Sequence, residues 1–220
     1  MIERFRDRRE AGRWLANTMD HLTDQANVVL ALPRGGVPVG LEVAHRLHAP
    51  LQVFVVRKLG VPGHEEYAMG AIASGGVTLL NEEVIRQLRI SRSEVEFVIA
   101  RENRELERRE QLYSGEQPQV DISRGTVILV DDGLATGSTM KAAVRAVRQR
   151  GADRIVVAVP VAPASAREEF EAIADEFICV LEPELFYAVG QWYENFSQTT
   201  DDEVRELLAA QNQVVSGSSF

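Results

Sequence analysis

Residues 126–139, TVILVDDGLATGST, constrain the fold of this chain more than any other segment. An apolar run over residues 127–130 ends in two carboxylates, Asp131 and Asp132, and small residues then lead into a helical pattern. This order predicts a buried strand, a loop and the start of a helix. In open parallel sheets, ligands bind beyond the carboxyl ends of the strands, and a helix N-terminus offers unpaired N–H groups to a phosphate. The segment therefore predicts a phosphate site.

The two acidic side chains next to this loop indicate that the ligand is a sugar phosphate. Carboxylates accept hydrogen bonds from vicinal hydroxyls, while backbone amides and the hydroxyls of Thr136, Ser138 and Thr139 donate to the phosphate. The alternative is an ordinary strand, turn and helix with a solvated pair of aspartates. A Walker A loop is excluded because its Gly-Lys-Ser/Thr ending is missing.

Apolar runs and helical patterns alternate along much of the chain. Strand-like runs cover residues 28–32, 51–56, 126–130, 155–161 and 177–181, and helical patterns cover residues 37–47, 140–150 and 165–174. The strand-like runs are apolar throughout, as expected for strands that are covered on both faces. We therefore predict an α/β fold with an open, mostly parallel twisted sheet and helices on both of its faces.

The regular alternation stops between the second and the third strand. Residues 71–80 read as a β-hairpin with a Gly-Gly turn. Asn81 is the predicted N-cap of a short helix that ends at Leu88, and Ser93 is the predicted cap of a longer charged helix over residues 94–113. This part of the chain is therefore predicted to be an insertion into the α/β pattern.

The predicted domain organisation follows from these patterns. A core over residues 1–182 includes a mobile lid and a helical insertion within residues 58–118, and residues 183–210 form a small C-terminal hood. The lid is assigned to residues 60–70, which are rich in glycine and other turn residues. The polar tail over residues 211–220 is predicted to fray.

Two short clusters that contain basic residues follow predicted strands. Arg34, Gly35 and Gly36 come after the first strand and open a helix, so the glycines permit close backbone approach and the arginine adds a bidentate donor for an oxyanion. Arg57 and Lys58 end the second predicted strand. The alternatives are a plain turn for the first cluster and a solvated strand end for the second.

Aromatic residues are concentrated in residues 183–196, after the last predicted strand. An exposed ring at Tyr187 would be suited to stacking on a flat nitrogen heterocycle. The alternatives for this segment are an aromatic satellite core or a dimer contact, so a homodimer remains open.

Residues 126–139 resemble the signature of the type I phosphoribosyltransferases, which bind phosphoribosyl pyrophosphate (PRPP). The match includes the strand, the acidic pair and a Thr-Gly-x-Thr phosphate loop. The Arg34 loop resembles the pyrophosphate loop of the same family, which often carries a strained non-proline cis peptide, here at Arg34–Gly35 or near Leu32–Pro33. The PRPP-binding residues that the resemblance implies are Arg34, Gly35, Gly36, Asp131, Asp132, Gly133, Ala135, Thr136, Gly137, Ser138 and Thr139.

The resemblance also implies catalytic, metal-binding and acceptor-binding residues. The implied catalytic residues are Asp131, Asp132, Arg57 and Lys58. The two cations would neutralise the leaving pyrophosphate. Mg²⁺ is the implied cofactor, held by Asp131 and Glu194. The implied acceptor-binding residues are Tyr187, Ala188, Val189 and Trp192.

The function implied by the resemblance is transfer of ribose 5-phosphate from PRPP to a nitrogen acceptor, a nucleobase-like heterocycle, with release of pyrophosphate. Two departures bear on the acceptor: Ala135 stands where the 6-oxopurine enzymes carry an aspartate, and Glu194 stands where their hood carries one. The alternative function is a PRPP-sensing regulatory protein of the same fold with little or no transferase activity. A PRPP-independent hydrolase fits less well because the signature is intact.

The composition predicts the cellular location of the chain and excludes some classes of partner. The formal net charge of −9 and the pI of about 5.1 argue against a nucleic-acid partner, which requires a basic surface. The single cysteine, Cys179, excludes a disulfide within the chain. The charged N-terminus lacks the apolar region of a signal peptide, and no apolar run approaches the roughly 18 residues of a membrane span. The chain is therefore predicted to be cytoplasmic, with no membrane partner.

Overall fold

Five parallel strands form the main sheet of the computed structural model, which describes residues 3–114 and 120–217. The strands lie in the order β2 (Leu51–Val53), β1 (Ala26–Ala31), β6 (Thr126–Val130), β7 (Arg154–Val161) and β8 (Glu176–Leu181). Every neighbouring pair in this sheet is parallel. The predicted α/β fold with a mostly parallel sheet is confirmed.

Helices cover both faces of this sheet. They are α1 (Arg8–Asn17), α2 (Gly36–Leu47), α5 (Ser138–Gln149), α6 (Ala166–Glu171) and α7 (Asp201–Gly217). Because successive strand residues point to opposite faces, Val29 and Ile128 pack into a core with α1, α2 and α7, whereas Val28 and Val127 pack into a second core with α5 and α6. Burial on both faces explains why the strand sequences are mostly apolar and do not alternate with polar residues.

A second, antiparallel sheet occupies the predicted insertion. Its strands are β3 (Val56–Val61), β4 (His64–Ala73) and β5 (Val77–Leu80), and the helices α3 (Glu82–Gln87) and α4 (Arg92–Ser114) follow it. The predicted hairpin is present as β4 and β5. The predicted second strand is wrong in extent, because the run over residues 51–56 divides between β2 of the first sheet and β3 of the second.

This division changes the setting of two predicted site residues. Arg57 and Lys58 do not end a strand of the parallel sheet; they lie inside β3, opposite Ile72 and Ala71 of β4. The segment assigned to a lid, residues 60–70, mostly belongs to the paired strands β3 and β4 and turns at Gly63, whose φ is 78°. Antiparallel pairing satisfies the backbone groups of this segment, so it has regular structure rather than that of an irregular loop.

Short polar motifs begin the two helices of the insertion. The Asn81 side chain accepts a hydrogen bond from the Val84 amide at 3.2 Å, so the predicted N-cap of α3 is confirmed. The predicted cap of α4 at Ser93 is wrong. Ser91 Oγ accepts from the Glu94 amide at 3.3 Å, and Glu94 Oε2 accepts from the Ser91 amide at 2.8 Å. This reciprocal pair is a capping box, whose Ser-x-x-Glu spacing begins at Ser91.

The last described helix extends into the tail that was predicted to fray. Helix α7 continues through Gln211 to Gly217, and residues 218–220 lie outside the described residues. Gln211 is 4% exposed, and its Nε2 donates to the Ala49 carbonyl at 3.4 Å. Val204 and Leu208 pack into the core with α2, which stabilises the helix by apolar burial. Within the described residues, no helix combines the length and the apolar character required to cross a bilayer.

Candidate active site

The loop between β6 and α5 is shaped to bind an anion. Gly137 precedes α5 with a φ of 66°, and a Cβ at this position would lie 2.9 Å from the Phe170 ring, so glycine is required for both conformation and space. The amides of Ala135, Thr136 and Gly137 have no acceptor in the described part of the chain. Because α5 starts immediately after them, these free donors lie next to the helix N-terminus, which also attracts anions.

The hydroxyl groups of this loop are exposed at its rim. Thr136 Oγ1 lies 3.0 Å from Ser138 Oγ, and the Ser138 amide donates weakly to Thr136 Oγ1 at 3.4 Å. Thr139 is exposed on the first turn of α5. The structure therefore brings the predicted hydroxyl donors together with the free amides.

The acidic pair directly follows β6, and each carboxylate has one oxygen engaged. Asp131 Oδ1 accepts from the Asp132 amide at 2.8 Å. Asp132 Oδ2 accepts from Arg8 Nε at 2.8 Å. The other oxygen of each carboxylate has no donor among the described residues. Two adjacent acceptors therefore remain for a ligand with neighbouring hydroxyls.

Burial makes the negative charge of this pair costly. It raises the pKa of Asp131 well above the ordinary range of an aspartate, and the neighbouring Asp132 charge raises that pKa further. Burial also raises the pKa of Asp132, while the hydrogen bond and the positive charge of Arg8 oppose that rise. A bound cation or hydroxyl donors would therefore relieve an unfavourable charge that the free protein carries.

We expect Asp131→Asn to stabilise the unliganded protein at neutral pH. The folded-state pKa of Asp131 is raised, so the carboxyl binds its proton more tightly in the folded state than in the unfolded state. Its contribution to stability is therefore fully present below the unfolded pKa of about 3.9 and is lost as the pH rises through the folded pKa. Asparagine is uncharged at every pH, and its Oδ1 can still accept from the Asp132 amide.

Thermal melts of the two proteins across the pH range test this expectation. In a chain of this size, each kcal/mol gained in the free energy of unfolding should raise the melting temperature by roughly 2–4 °C. This gain should become smaller as the pH falls into the acid range. Asp202→Asn is the control, because that side chain is 76% exposed. A melting temperature of Asp131→Asn that falls at neutral pH would contradict the direction of the pKa shift.

The loop after β1 packs directly against the acidic pair. A Cβ at Gly35 would lie 2.0 Å from Asp132 Oδ2, and a Cβ at Gly36 would lie 2.8 Å from the Val130 carbonyl oxygen. Both glycines are therefore required for this approach. The cis peptide bond of this loop joins Pro33 to Arg34. Of the two predicted locations, it is therefore the one near Leu32–Pro33 and not Arg34–Gly35.

The side chains of the three predicted cations lie near different elements of the structure. Arg34 Nη1 lies 3.6 Å from Asp201 Oδ1 at the start of α7. Arg57 Nε donates to Glu102 Oε2 of α4 at 3.0 Å, so this guanidinium is held by α4. Lys58, on the other side of β3, lines a pocket of about 550 Å³ with Ser138 and other residues of α5. The structure thus brings Lys58, and not Arg57, towards the signature helix.

The hood is attached to the signature segment at two points. Val189 packs so tightly on Gly133 that a Cβ on that glycine would lie 2.6 Å from Val189 Cγ1. Tyr193 is 4% exposed, and its hydroxyl donates to the Asp132 carbonyl oxygen at 2.6 Å. Burial, followed by the nearby Asp132 charge, raises the pKa of Tyr193 above the ordinary value, so the phenol stays a donor. The contact of Tyr193 with the acidic pair was not predicted from the sequence.

The predicted acceptor-binding residues divide between surface and interior. Tyr187 is 80% exposed and Ala188 is also exposed, beside the 3₁₀ turn Val189–Trp192. Trp192 instead packs against a small core that contains Phe5 and Tyr193. A satellite core is therefore present, but it includes Trp192 and Tyr193 rather than Tyr187.

The predicted metal ligands do not form a preformed cage. Glu194 is exposed, and its amide donates to the Phe5 carbonyl at 2.8 Å. Over residues 3–114 and 120–217, no group of three or more His, Cys, Asp and Glu side chains is close enough to hold a metal ion. Mg²⁺ commonly uses only one or two carboxylates and completes its shell with water and substrate oxygens. The free oxygens of Asp131 and Asp132 fit that donor chemistry.

Arg8 is the site residue that sequence reasoning missed most clearly. It is 12% exposed at the start of α1 and pairs with Asp132, and its guanidinium carbon lies 4.0 Å from the centre of the Phe196 ring. Nη1 donates to the Ser197 carbonyl at 2.6 Å. Arg8 belongs to the charged stretch RFRDRRE, in which no spacing distinguishes it from the neighbouring arginines.

The fold and the site together define a class of protein. A parallel sheet with an acidic pair and an anion-binding loop at the carboxyl end of one strand is suited to phosphorylated sugars. The chain belongs to the family described as the phosphoribosyl transferase domain, whose model matches residues 63–196.

The name of one similar protein agrees with this assignment, and one similar solved structure has the same fold. A Mycobacterium tuberculosis protein with the name "Putative phosphoribosyl transferase" is 47% identical over 204 residues, which cover 93% of this chain and 46% of that protein. This chain therefore spans about half the length of the curated relatives that it matches. The crystal structure of TT1426 from Thermus thermophilus has 43% identity and a TM-score of 0.84, and the match covers 94% of this chain and 99% of TT1426.

Proposed function

We propose that this protein transfers ribose 5-phosphate from PRPP to a nitrogen acceptor and releases pyrophosphate, with Mg²⁺ as cofactor. The proposal rests on two sets of hydrogen-bonding groups without partners that both follow the carboxyl end of β6. One carboxylate oxygen of each aspartate and the amides of Ala135, Thr136 and Gly137 lack partners in the described chain. Family membership supports the same chemistry.

The proposed mechanism relies on positioning and electrostatics. The 5′-phosphate would accept from the amides before α5 and from the Thr136, Ser138 and Thr139 hydroxyls. The ribose hydroxyls would donate to the free oxygens of Asp131 and Asp132. Positive charge develops on the ribose as the bond to pyrophosphate breaks, and the two nearby carboxylates stabilise that charge. When bound, Mg²⁺ would supply positive charge to the pyrophosphate, and the free carboxylate oxygen of Asp131, with Glu194, would hold it.

The cations around the site have separate proposed roles. Lys58 would face the ligand from β3, because it lines the pocket beside Ser138 and Thr139. Arg34 would donate to the pyrophosphate from the loop that abuts the acidic pair. Arg57 would act indirectly, by holding β3 against α4 through Glu102. Of the three predicted cations, only Lys58 and Arg34 therefore remain proposed contacts to the charged substrate.

A panel of nitrogen heterocycles, incubated with PRPP and Mg²⁺ and assayed for pyrophosphate, tests the proposed function. We expect release with at least one acceptor, and loss of release when Mg²⁺ is chelated. The double variant Thr136→Val with Thr139→Val tests the phosphate loop. It should bind PRPP more weakly, since each lost charge-assisted hydrogen bond should cost about 1.5–3 kcal/mol of binding free energy. Tight PRPP binding without turnover would instead support a PRPP-sensing regulatory protein. Equal PRPP affinity with and without Mg²⁺ would contradict the proposed role of the metal.

We expect Tyr187→Ala to raise the acceptor KM by roughly 5- to 150-fold, because base stacking on an aromatic ring contributes about 1–3 kcal/mol. PRPP affinity should change little. Since the ring is 80% exposed, the melting temperature should also stay nearly constant. Tyr187→Phe is the matched control and should behave like the wild type, because it keeps the ring. A large fall in melting temperature with an unchanged KM would show that the ring serves the fold and not the acceptor.

A further inference from the structure

Arg8 connects three parts of the candidate active site. Its Nε donates to Asp132 Oδ2 at 2.8 Å, and its Nη1 donates to the Ser197 carbonyl at 2.6 Å. The guanidinium carbon lies 4.0 Å from the centre of the Phe196 ring. We propose that Arg8 is a positioning residue that orients Asp132 for the ribose and links this carboxylate to the hood. The inference rests on the proposed function.

The contacts of Arg8 leave Asp132 with one orientation and one free oxygen. The Oδ2 atom is taken by Arg8, so Oδ1 is the oxygen that remains for a ribose hydroxyl. The planar guanidinium can bond Asp132 and Ser197 at once while its flat face covers Phe196, whereas a lysine ammonium offers no such fork. The chemistry of the contact therefore requires arginine rather than a positive charge alone.

The surroundings of Asp132 show why such a restraint is needed. Gly35 approaches so closely that a Cβ there would overlap Asp132 Oδ2, and would lie 3.2 Å from Arg8 Nε. Tyr193 holds the Asp132 backbone from the hood but does not bond the carboxylate. The carboxyl of Asp131, the preceding residue, interacts electrostatically with that of Asp132. Without Arg8, the Asp132 carboxylate would be an unpaired charge with 15% side-chain exposure, and would reorient to reach solvent.

This role is separate from what family membership implies. The family model matches residues 63–196, and Arg8 lies on α1, well before that range. The N-terminal helix would thus be a part of the substrate site and not only a cover for the sheet.

Calorimetric titration of PRPP and of ribose 5-phosphate into matched variants tests the proposal. Arg9→Gln is the control, because Arg9 lies next on the same helix, is 53% exposed and pairs with Glu42 at 3.2 Å. We expect Arg8→Gln to raise the Kd for both ligands by roughly 10- to 100-fold, as for the loss of a charged hydrogen bond, and Arg9→Gln to have the wild-type Kd. Equal affinities for the two variants would overturn the inference.

A double-mutant comparison separates positioning from direct contact with the substrate. If Arg8 acts through Asp132, Arg8→Gln should have little further effect on Kd in a protein that already carries Asp132→Ala, because alanine leaves no side chain for Arg8 to orient. An undiminished effect in that background would mean that Arg8 binds the ligand itself, and would overturn the proposed positioning role.

Chemical rescue separates an effect of Arg8 on PRPP affinity from an effect on protein stability. Methylguanidine at millimolar concentration should restore PRPP affinity to Arg8→Ala, since it can refill the place of the lost guanidinium, and Arg8→Lys should recover affinity only in part. Full recovery by lysine, or no recovery by methylguanidine in a folded variant, would count against the inference. A wild-type protein that binds neither ligand would overturn the proposed function, whereas wild-type binding with an unaffected Arg8→Gln would overturn only this inference.

Discussion

Asp132→Asn should lower the rate of pyrophosphate release by about 10²- to 10³-fold with every acceptor, because it removes a charge that stabilises the developing positive charge on the ribose. Asparagine has nearly the same shape, and its Oδ1 can still accept from Arg8, so the variant should fold. Steady-state assays at saturating acceptor measure the effect, and a melt verifies the fold. Asp202→Asn on the exposed surface of α7 is the control and should retain wild-type turnover.

Ala135→Asp separates the roles of two neighbouring positions in the same loop. Only the backbone amide of Ala135 is proposed to bind the phosphate, and its side chain is exposed. An added carboxylate there should therefore change the choice of acceptor and leave PRPP affinity nearly unchanged. If Ala135→Asp weakened PRPP binding as much as Asp132→Asn, the proposed placement of ribose and acceptor around this loop would be wrong.

Gly35→Ala should reduce PRPP affinity or turnover by about 100-fold or more, although it adds a single methyl group. The added Cβ would lie 2.0 Å from Asp132 Oδ2, so either the carboxylate or the loop must move. A displacement of about 1 Å in a catalytic group can cost 10²-fold in rate. The backbone at Gly35 has a φ of −61° and a ψ of −32°, which alanine adopts without strain, so the effect should come from the clash alone.

Gly76→Ala is the matched control for this clash. A Cβ at Gly76 would meet nothing within 4 Å, and the cost is limited to the φ of 77°. We expect a small loss of stability and normal PRPP binding. Circular dichroism should show that both variants are folded. Wild-type kinetics for Gly35→Ala would mean that the acidic pair can shift without loss of function, and would contradict the proposed geometry.

Local patterns explain why much of the fold could be predicted. The strand Thr126–Val130 has the predicted limits, because an apolar run bounded by charged or glycine residues marks both of its ends. Helix α5 ends next to Gly151, whose φ of 90° suits a residue just beyond a helix. The cap at Asn81 was predictable for the same reason, since the capping bond spans only three residues.

The errors arose where a local pattern admits more than one arrangement. The run over residues 51–56 is apolar except for Gln52, so nothing in its periodicity shows that β2 and β3 belong to different sheets. Once β3 is known, the opposite directions of Arg57 and Lys58 follow from the alternation of side chains along a strand. Ser91 and Ser93 are both capping residues by type, and the helix begins where the reciprocal bond with Glu94 forms.

The sequence by itself determined the class of fold, the strand, loop and helix that begin at Thr126 and the position of the acidic pair, because each depends on residues that are neighbours along the chain. Tertiary structure alone decided which groups surround that pair. Arg8 and Asp132 are separated by 124 positions, and Tyr193 reaches the Asp132 carbonyl across 61. Such contacts depend on how α1 and the hood pack on the sheet, and packing is a property of the whole core rather than of any segment. The raised pKa of Asp131 and of Asp132 follows from that burial, so it too became visible only in the folded protein.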